Sequence, residues 1–189
     1  LTKHNLIAFK FDDIKIDVCQ ASEYKNLLSK YHYLPNAGRG GMAYGAYLNN
    51  ILIAVCVFSP LVRQNIPEDK LTSRELSRMC IHPNYQVKNF ASWFISKCIK
   101  RLDNKYTTII SYSDTTFNHV GSMYLACNFK LDSKLKPDYW YASDSGWIMH
   151  KKTLYNKASA MSMIESEYAD KFGYRKVFGT EKLKFIYHR

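Results

Sequence analysis

A chain of 189 residues, 47% hydrophobic and 15% aromatic, can bury a core of its own and matches one domain, or one domain with an appendage. No apolar run approaches the roughly 20 residues a membrane helix needs, and no apolar leader is legible behind Leu1-Thr-Lys-His4, so neither a membrane span nor a signal peptide is expected. The formal net charge of +11 points to a polyanionic partner, nucleic acid ahead of a membrane surface.

The first apolar runs, Leu6 to Val18 around Asp12-Asp13, read as a hairpin whose second arm, Ile14 to Val18, alternates like a half-buried strand. Ser22 is placed to cap a helix to about Lys30 with Tyr24, Leu27 and Leu28 on one face. Tyr31-His32-Tyr33 follows, then a glycine-rich loop to Gly41. Met42–Leu48 and Ile51–Ser59 are strands, and Asn49-Asn50 between them suits a two-residue turn because Asn tolerates positive φ. Pro60 ends the second strand, and 61–72 is a polar connection.

A strand from Glu75 to His82 then runs through Pro83-Asn84 and a short polar link into a helix. That helix is marked by Phe90, Phe94, Cys98, Ile99 and Leu102, with Asn89 as N-cap. Thr107–Tyr112 has the β-branched run of a buried parallel strand. A short helix over 118–126 comes next, then two closing strands, 128–131 and 146–150, separated by a polar aromatic loop. A helix over 158–172 follows, and a basic, aromatic tail ends the chain. The five cysteines sit in apolar segments without a C-x-x-C pair and read as buried free thiols of a reducing compartment.

The strand, turn and helix around residues 75–102 have chemical meaning. The first turn of a helix exposes unpaired N–H groups and a partial positive charge, and such a turn holds phosphate through its backbone. Lys88 adds charge at its mouth. The same residues also suit an ordinary strand–helix corner.

The order of elements resembles the GCN5-related N-acetyltransferases. Ile81-His-Pro-Asn-Tyr-Gln-Val-Lys-Asn89 is similar to that family's V-x-P-x-Y-x-x-x-G-x-G segment, and Met123-Tyr-Leu-Ala-Cys-Asn-Phe129 to its L-Y-x-x-x-G-F, with Asn89, Ala91 and Asn128 where glycines are usual. A narrower resemblance covers nearly the whole chain. Tyr31-His-Tyr33 with the glycine-rich loop, Glu75-Leu-Ser-Arg78, Lys88-Asn89 with Ser92, Ser111-Tyr-Ser-Asp114, His119-Val-Gly121, Tyr124 with Asn128, and Lys182 to Tyr187 together resemble the Mom family of phage DNA-modifying proteins.

These resemblances imply an α/β (α+β) fold with a mixed, mostly antiparallel central sheet flanked by helices. They place an acyltransferase-like domain at 1–155 and a basic extension at 156–189, packed on or beside it. They imply an enzyme that uses acetyl-CoA to alter adenine N6 in double-stranded DNA, with a methylcarbamoyl-type product that resists restriction. Such a protein would work in the host cytoplasm, without a membrane partner, and a homodimer is one option. The alternatives are an acetyltransferase acting on a protein, a tRNA or a hypermodified thymine amine, and a non-catalytic nucleic-acid-binding module.

The implied cofactor-binding residues are Cys80, Ile81, Val87, Lys88, Asn89, Ser92, Ser111 and Tyr124. Asp114 and Tyr124 are the acid–base candidates, Tyr124 as donor to the departing thiolate. Asp114 equally suits the N-cap of the helix that follows it, and Tyr124 a packed aromatic. Arg78, inside an apolar strand, needs a partner: Asp114, Glu75 or a phosphate. His32 and His119 are further catalytic candidates. Tyr31 and Tyr33, with Arg39 and Tyr112, are substrate candidates, the first two because alternate residues of an extended segment share a face and could stack a flipped base. The basic, aromatic tail from Gly173 to Arg189 could cover a sheet edge or contact phosphates, and Lys88, Arg39 and Lys182 to Arg189 are candidates for the DNA backbone. The spacing of His32, His119 and Asp114 is not diagnostic of metal, and none is expected.

Overall fold

The computed structural model describes residues 5–33, 38–61 and 67–189; residues 1–4, part of the glycine-rich loop (34–37) and most of the polar connection (62–66) lie outside them. Contacts divide the chain into two compact units. The first comprises 1–113, 121–133 and 184–189, the second 114–120 and 134–183.

The first unit begins with β1 (Lys15–Val18), α1 (Ala21–Tyr31), β2 (Met42–Leu48) and β3 (Ile51–Ser59). It continues with α2 (Pro67–Thr72), β4 (Ser73–Ile81), α3 (Phe90–Arg101), β5 (Thr108–Asp114), α4 (Ser122–Ala126) and β6 (Lys130–Leu135). The second unit adds β7 (Tyr139–Ser143), β8 (Ile148–His150), α5 (Lys151–Ala160), α6 (Glu165–Lys171) and β9 (Tyr174–Phe178), and the chain ends in β10 (Lys182–His188).

Seven strands form one sheet in the order β1-β2-β3-β4-β5-β10-β6. β1 to β4 are antiparallel neighbours, and β4 and β5 run parallel. β3 is apolar from Ile51 to Phe58, and its residues from Ile53 onward are buried because both faces are covered there. Val55 and Val57 join Tyr24, Leu27 and Leu28 of α1 in one cluster. Phe90, Phe94, Ile95, Cys98 and Ile99 are the buried stripe of α3. Asn49 and Asn50 have φ of 49° and 65°, the two left-handed residues that a tight hairpin requires. α1 is capped by Glu23, whose Oε2 accepts from the Gln20 amide at 2.7 Å, and not by Ser22.

Several expectations are corrected. The segment before β1 forms no hairpin: Phe11–Asp13 is a 3-10 turn, the Ile7 amide donates to the Asn84 carbonyl at 2.8 Å, and Phe9 and Phe11 pack on Phe90. The helix expected at 118–126 is confined to α4, and Thr115–Phe117 form a separate 3-10 turn. The helix expected at 158–172 is broken into α5 and α6, with Ser162 between them at φ 54°. The strand expected over 146–150 does not close the main sheet. It is β8, which pairs with β7 in a three-stranded sheet of order β8-β7-β9. That sheet belongs to the second unit, whose core is Tyr141, Met149, Leu154, Ala158, Tyr168 and Ala169. The tail supplies β10, inserted between β5 and β6, and the expected boundary after residue 155 falls inside α5. Among the described residues no helix is long and apolar enough to cross a membrane.

Candidate functional site

After β4, Pro83–Tyr85 make a 3-10 turn with the Asn84 amide on His82 Nδ1, and the chain turns sharply into α3. Asn89 makes that turn at φ 65°, in the left-handed region. Its side chain caps nothing; its carbonyl accepts from Trp93 N at 3.0 Å and from Ser92 Oγ at 3.1 Å. Phe90 N donates to Val87 O at 3.2 Å. Among the described residues the amides of Lys88, Asn89, Ala91 and Ser92 have no such partner, which leaves a cluster of N–H donors at the positive end of a helix. Phe9 packs against Phe90, Phe11 against Phe90 and Trp93, and Tyr85 against Phe9, which buttresses the corner from one side. Lys88 and Asn89 stay exposed.

Next to this corner the sheet opens. β4 and β5 pair only through Ser73↔Thr108, Arg74↔Ile109 and Glu75↔Ile110. Beyond them Leu76–Ile81 and Ser111–Asp114 run on without a shared ladder. Ser111 Oγ donates to Leu76 O at 2.9 Å at the start of the gap. Two residues further on the same face of β5, Ser113 Oγ is buried and has no hydrogen-bond partner among the described residues. Opposite Val57 and Phe58 of β3, β4 carries a bulge in which Ser77 is the extra residue, and such bulges re-aim neighbouring side chains.

Tyr124, on α4, is half-buried between Phe129 and Phe185. Burial pushes its phenol up to about 12, and the Ser111 hydroxyl pulls the other way. The phenol therefore carries its proton at neutral pH. Asn128 ends α4 at φ 64°, so that Phe129 N returns to Tyr124 O at 3.0 Å. Cys80 lies in the core with Leu27 and Leu28, which makes its side chain a packing group, and Ile81 is buried as well.

On the glycine-rich loop, Arg39 pairs with Glu75 at 2.5 Å. The Arg78 guanidinium lies against Gly38, where an added Cβ would stand 3.1 Å from Cζ, and Nη1 donates to Ser77 O at 2.6 Å. Burial lowers the Arg78 pKa, while Tyr33 and Glu75 oppose it. Burial also raises the Tyr112 phenol, with the Glu75 charge adding to the effect. Tyr31 and Tyr33 do not form one stacking face: Tyr31 still belongs to α1 and meets His82 edge-on at 4.6 Å, whereas Tyr33 stacks on His32 at 4.6 Å. A helical residue and one beyond the helix end do not alternate as an extended segment does.

In the second unit Asp114 is 7% exposed, and its Oδ1 accepts from Thr116 N at 3.0 Å, which caps the 3-10 turn. Lys182 lies 3.8 Å from Asp114 Oδ2 and 3.1 Å from Asp138 Oδ2, and Asp138 also takes Lys151. Lys182 is therefore the centre of an internal ion network. Lys184, in the first unit, pairs with Asp132 at 3.0 Å. His119 is exposed after the turn, near Phe117. Asp138 and Ser113 are not legible as candidate residues in the sequence: Asp138 stands in an unpatterned stretch, and a missing hydrogen bond leaves no mark on a sequence. Among the described residues no group of three or more His, Cys, Asp or Glu could hold a metal. All five cysteines are buried and free, and burial pushes Cys80 and Cys127 up to about 11, so neither is an activated nucleophile.

A sheet opened between parallel β4 and β5, with an amide-lined turn leading into α3, defines the GCN5-related N-acetyltransferase fold. Solved structures share it. An acetyltransferase of that family from Elizabethkingia anophelis, with acetyl-CoA bound, is 14% identical at a TM-score of 0.57, over 94% of this chain and 99% of its own. A Bacillus subtilis acetyltransferase in complex with CoA is 15% identical at 0.54, over 93% and 99%. The ribosomal-protein-S18-alanine N-acetyltransferase of Escherichia coli is 10% identical at 0.56, over 93% of each chain. At these identities the likeness is one of fold. No curated protein matches in sequence. The model of the Mom protein family matches residues 13–189, and the chain belongs to that family.

Proposed function

We propose that the chain is an acetyl-CoA-dependent transferase that alters the exocyclic N6 amine of adenine in DNA, leaving a methylcarbamoyl-type group that blocks restriction enzymes. The single observation that carries the cofactor reading is the open wedge between β4 and β5 leading to the amides of Lys88, Asn89, Ala91 and Ser92, which have no backbone partner among the described residues. Family membership and the +11 charge support DNA as the substrate.

The residues fit coenzyme A. The turn amides and Lys88 match a pyrophosphate, and Asn89 supplies the left-handed backbone that glycine supplies elsewhere. The unladdered strand edges and the orphaned Ser113 hydroxyl offer hydrogen bonds to the amides of a pantetheine arm. When bound, acetyl-CoA would supply a thioester-activated acyl carbon, whose transfer to N6 alone leaves an acetyl group and releases the coenzyme as its thiol; a methylcarbamoyl group requires a nitrogen-donating co-substrate in addition. Tyr124 holds a proton at Oη that it can give to a thiolate. Asp114 is the acceptor for the proton lost by N6, an aryl amine too weakly basic to react without help. The target amine lies inside a base pair, so the base must be unstacked or met unpaired.

Labelled acetyl-CoA incubated with duplex DNA, tRNA and protein tests this. Label in DNA alone supports it, and label in tRNA or protein moves the activity to that polymer. Salt-dependent DNA binding without coenzyme A affinity by calorimetry would leave a binding module only.

A further inference from the structure

Lys182 stands between two carboxylates of the second unit, and it serves them unequally. Its Nζ is within hydrogen-bond range of Asp138 Oδ2, at 3.1 Å, but 3.8 Å from Asp114 Oδ2, too far for a hydrogen bond. Asp138 is held in turn by Lys151 and by the Tyr139 amide at 2.9 Å. Burial alone would raise the Asp138 carboxyl, yet the hydrogen bonds from Lys151, Lys182 and Tyr139 bring it down to about 2. It is therefore anionic at any pH where acyl transfer is run. Asp114 Oδ1 is committed to Thr116 N, and among the described residues Oδ2 accepts no hydrogen bond. The other titratable groups nearby are Glu181, paired with Lys134 at 3.1 Å, and His119, whose amide donates to the Asp114 carbonyl at 3.4 Å.

We propose that Asp138 is a positioning residue: it anchors Lys182 away from Asp114 Oδ2 and so keeps that oxygen open to accept a proton. The role rests on the reading of Asp114 as proton acceptor. Lys182 ends a flexible four-carbon stem. Without Asp138 its ammonium closes on Asp114, and the hydrogen bond it forms takes the lone pair that the substrate proton needs. Loss of the Asp138 charge and approach of Lys182 act in the same direction, since both favour the ionised form of Asp114.

The test follows the Asp114 carboxyl carbon by 13C NMR, assigned by its loss in Asp114→Asn, together with the pH–rate profile of DNA modification. In Asp138→Asn, Asp114 stays ionised to lower pH than in the unaltered protein, the acid limb of the rate moves the same way, and the neutral rate drops. Lys182→Gln moves the titration oppositely, and Asp138→Glu restores the profile. Lys151→Gln, which leaves the Asp138–Lys182 pair in place, keeps the profile and controls for folding; if Asp138→Asn does not fold, Lys182→Gln and Asp138→Glu carry the test. An unmoved titration in the folded Asp138 and Lys182 variants overturns the proposal. A titration that moves while the modification rate does not would remove Asp114 as proton acceptor, and the positioning role with it, leaving only an ion network.

Discussion

Ser111 donates to the Leu76 carbonyl at the first position where β4 and β5 no longer pair. The side chain adds one rung to a ladder that the backbone has just abandoned, and it also borders the Tyr124 phenol. Ser111→Ala removes a buried hydrogen bond to that carbonyl and is expected to lower stability by about 1 kcal/mol in urea unfolding. Coenzyme A affinity by calorimetry should fall with it. A variant as stable as the unaltered protein would show that this rung does not hold the mouth of the wedge.

Asn89 is expected to be exchangeable for glycine and not for alanine. At φ 65° an alanine pays the left-handed penalty, about 1–2 kcal/mol, and glycine pays none. Asn89→Gly should keep both stability and coenzyme A binding, and Asn89→Ala should lose stability by that amount in chemical denaturation.

Tyr124→Phe removes one oxygen from a well-packed ring. The fold and the coenzyme A affinity should hold, and single-turnover rates should fall by about a hundredfold or more, the range for a lost general acid. The phenol titrates near 12 when folded and about 10 when unfolded. Its raised value means that the folded chain keeps the proton longer. No decline in rate from this group is expected below about pH 10, and a stability loss from it appears only as pH rises from there toward 12.

Asp138 sets an acid limit. Its pKa drops from 3.8 to about 2 on folding, so the ionised form stabilises the fold above pH 3.8, and that contribution is lost as pH falls through about 2. That contribution is on the order of 2 kcal/mol. Asp138→Asn should therefore lower stability at pH 7 and flatten the acid side of the stability–pH curve, as read by denaturant midpoints.

What the sequence could and could not reveal follows from the range of the interactions involved. The Asn49-Asn50 turn, the buried β3 and the apolar stripe of α3 are local patterns and were legible. The asparagines at 89 and 128 looked like departures from a glycine motif, yet both occupy left-handed positions, which asparagine tolerates best after glycine. The basic, aromatic composition of the tail suggests an extension; pairing β10 between β5 and β6 is a non-local choice that composition does not encode. The helix over 158–172 was overread because Met161 and Ile164 keep helical spacing through Ser162, where no glycine or proline signals the break. Of the candidate site, the turn at Val87–Ser92 and Tyr124 were visible through their motif, whereas the ion network depends on Asp138 reaching Lys182 across 44 residues.

The most direct measurement is mass spectrometry of nucleosides from the DNA of cells that express the protein, beside cells that express Tyr124→Phe. A modified deoxyadenosine is expected with the unaltered protein, and its loss or strong depletion with the variant. Unmodified nucleosides alone, from cells in which the unaltered protein is soluble and abundant, would contradict it.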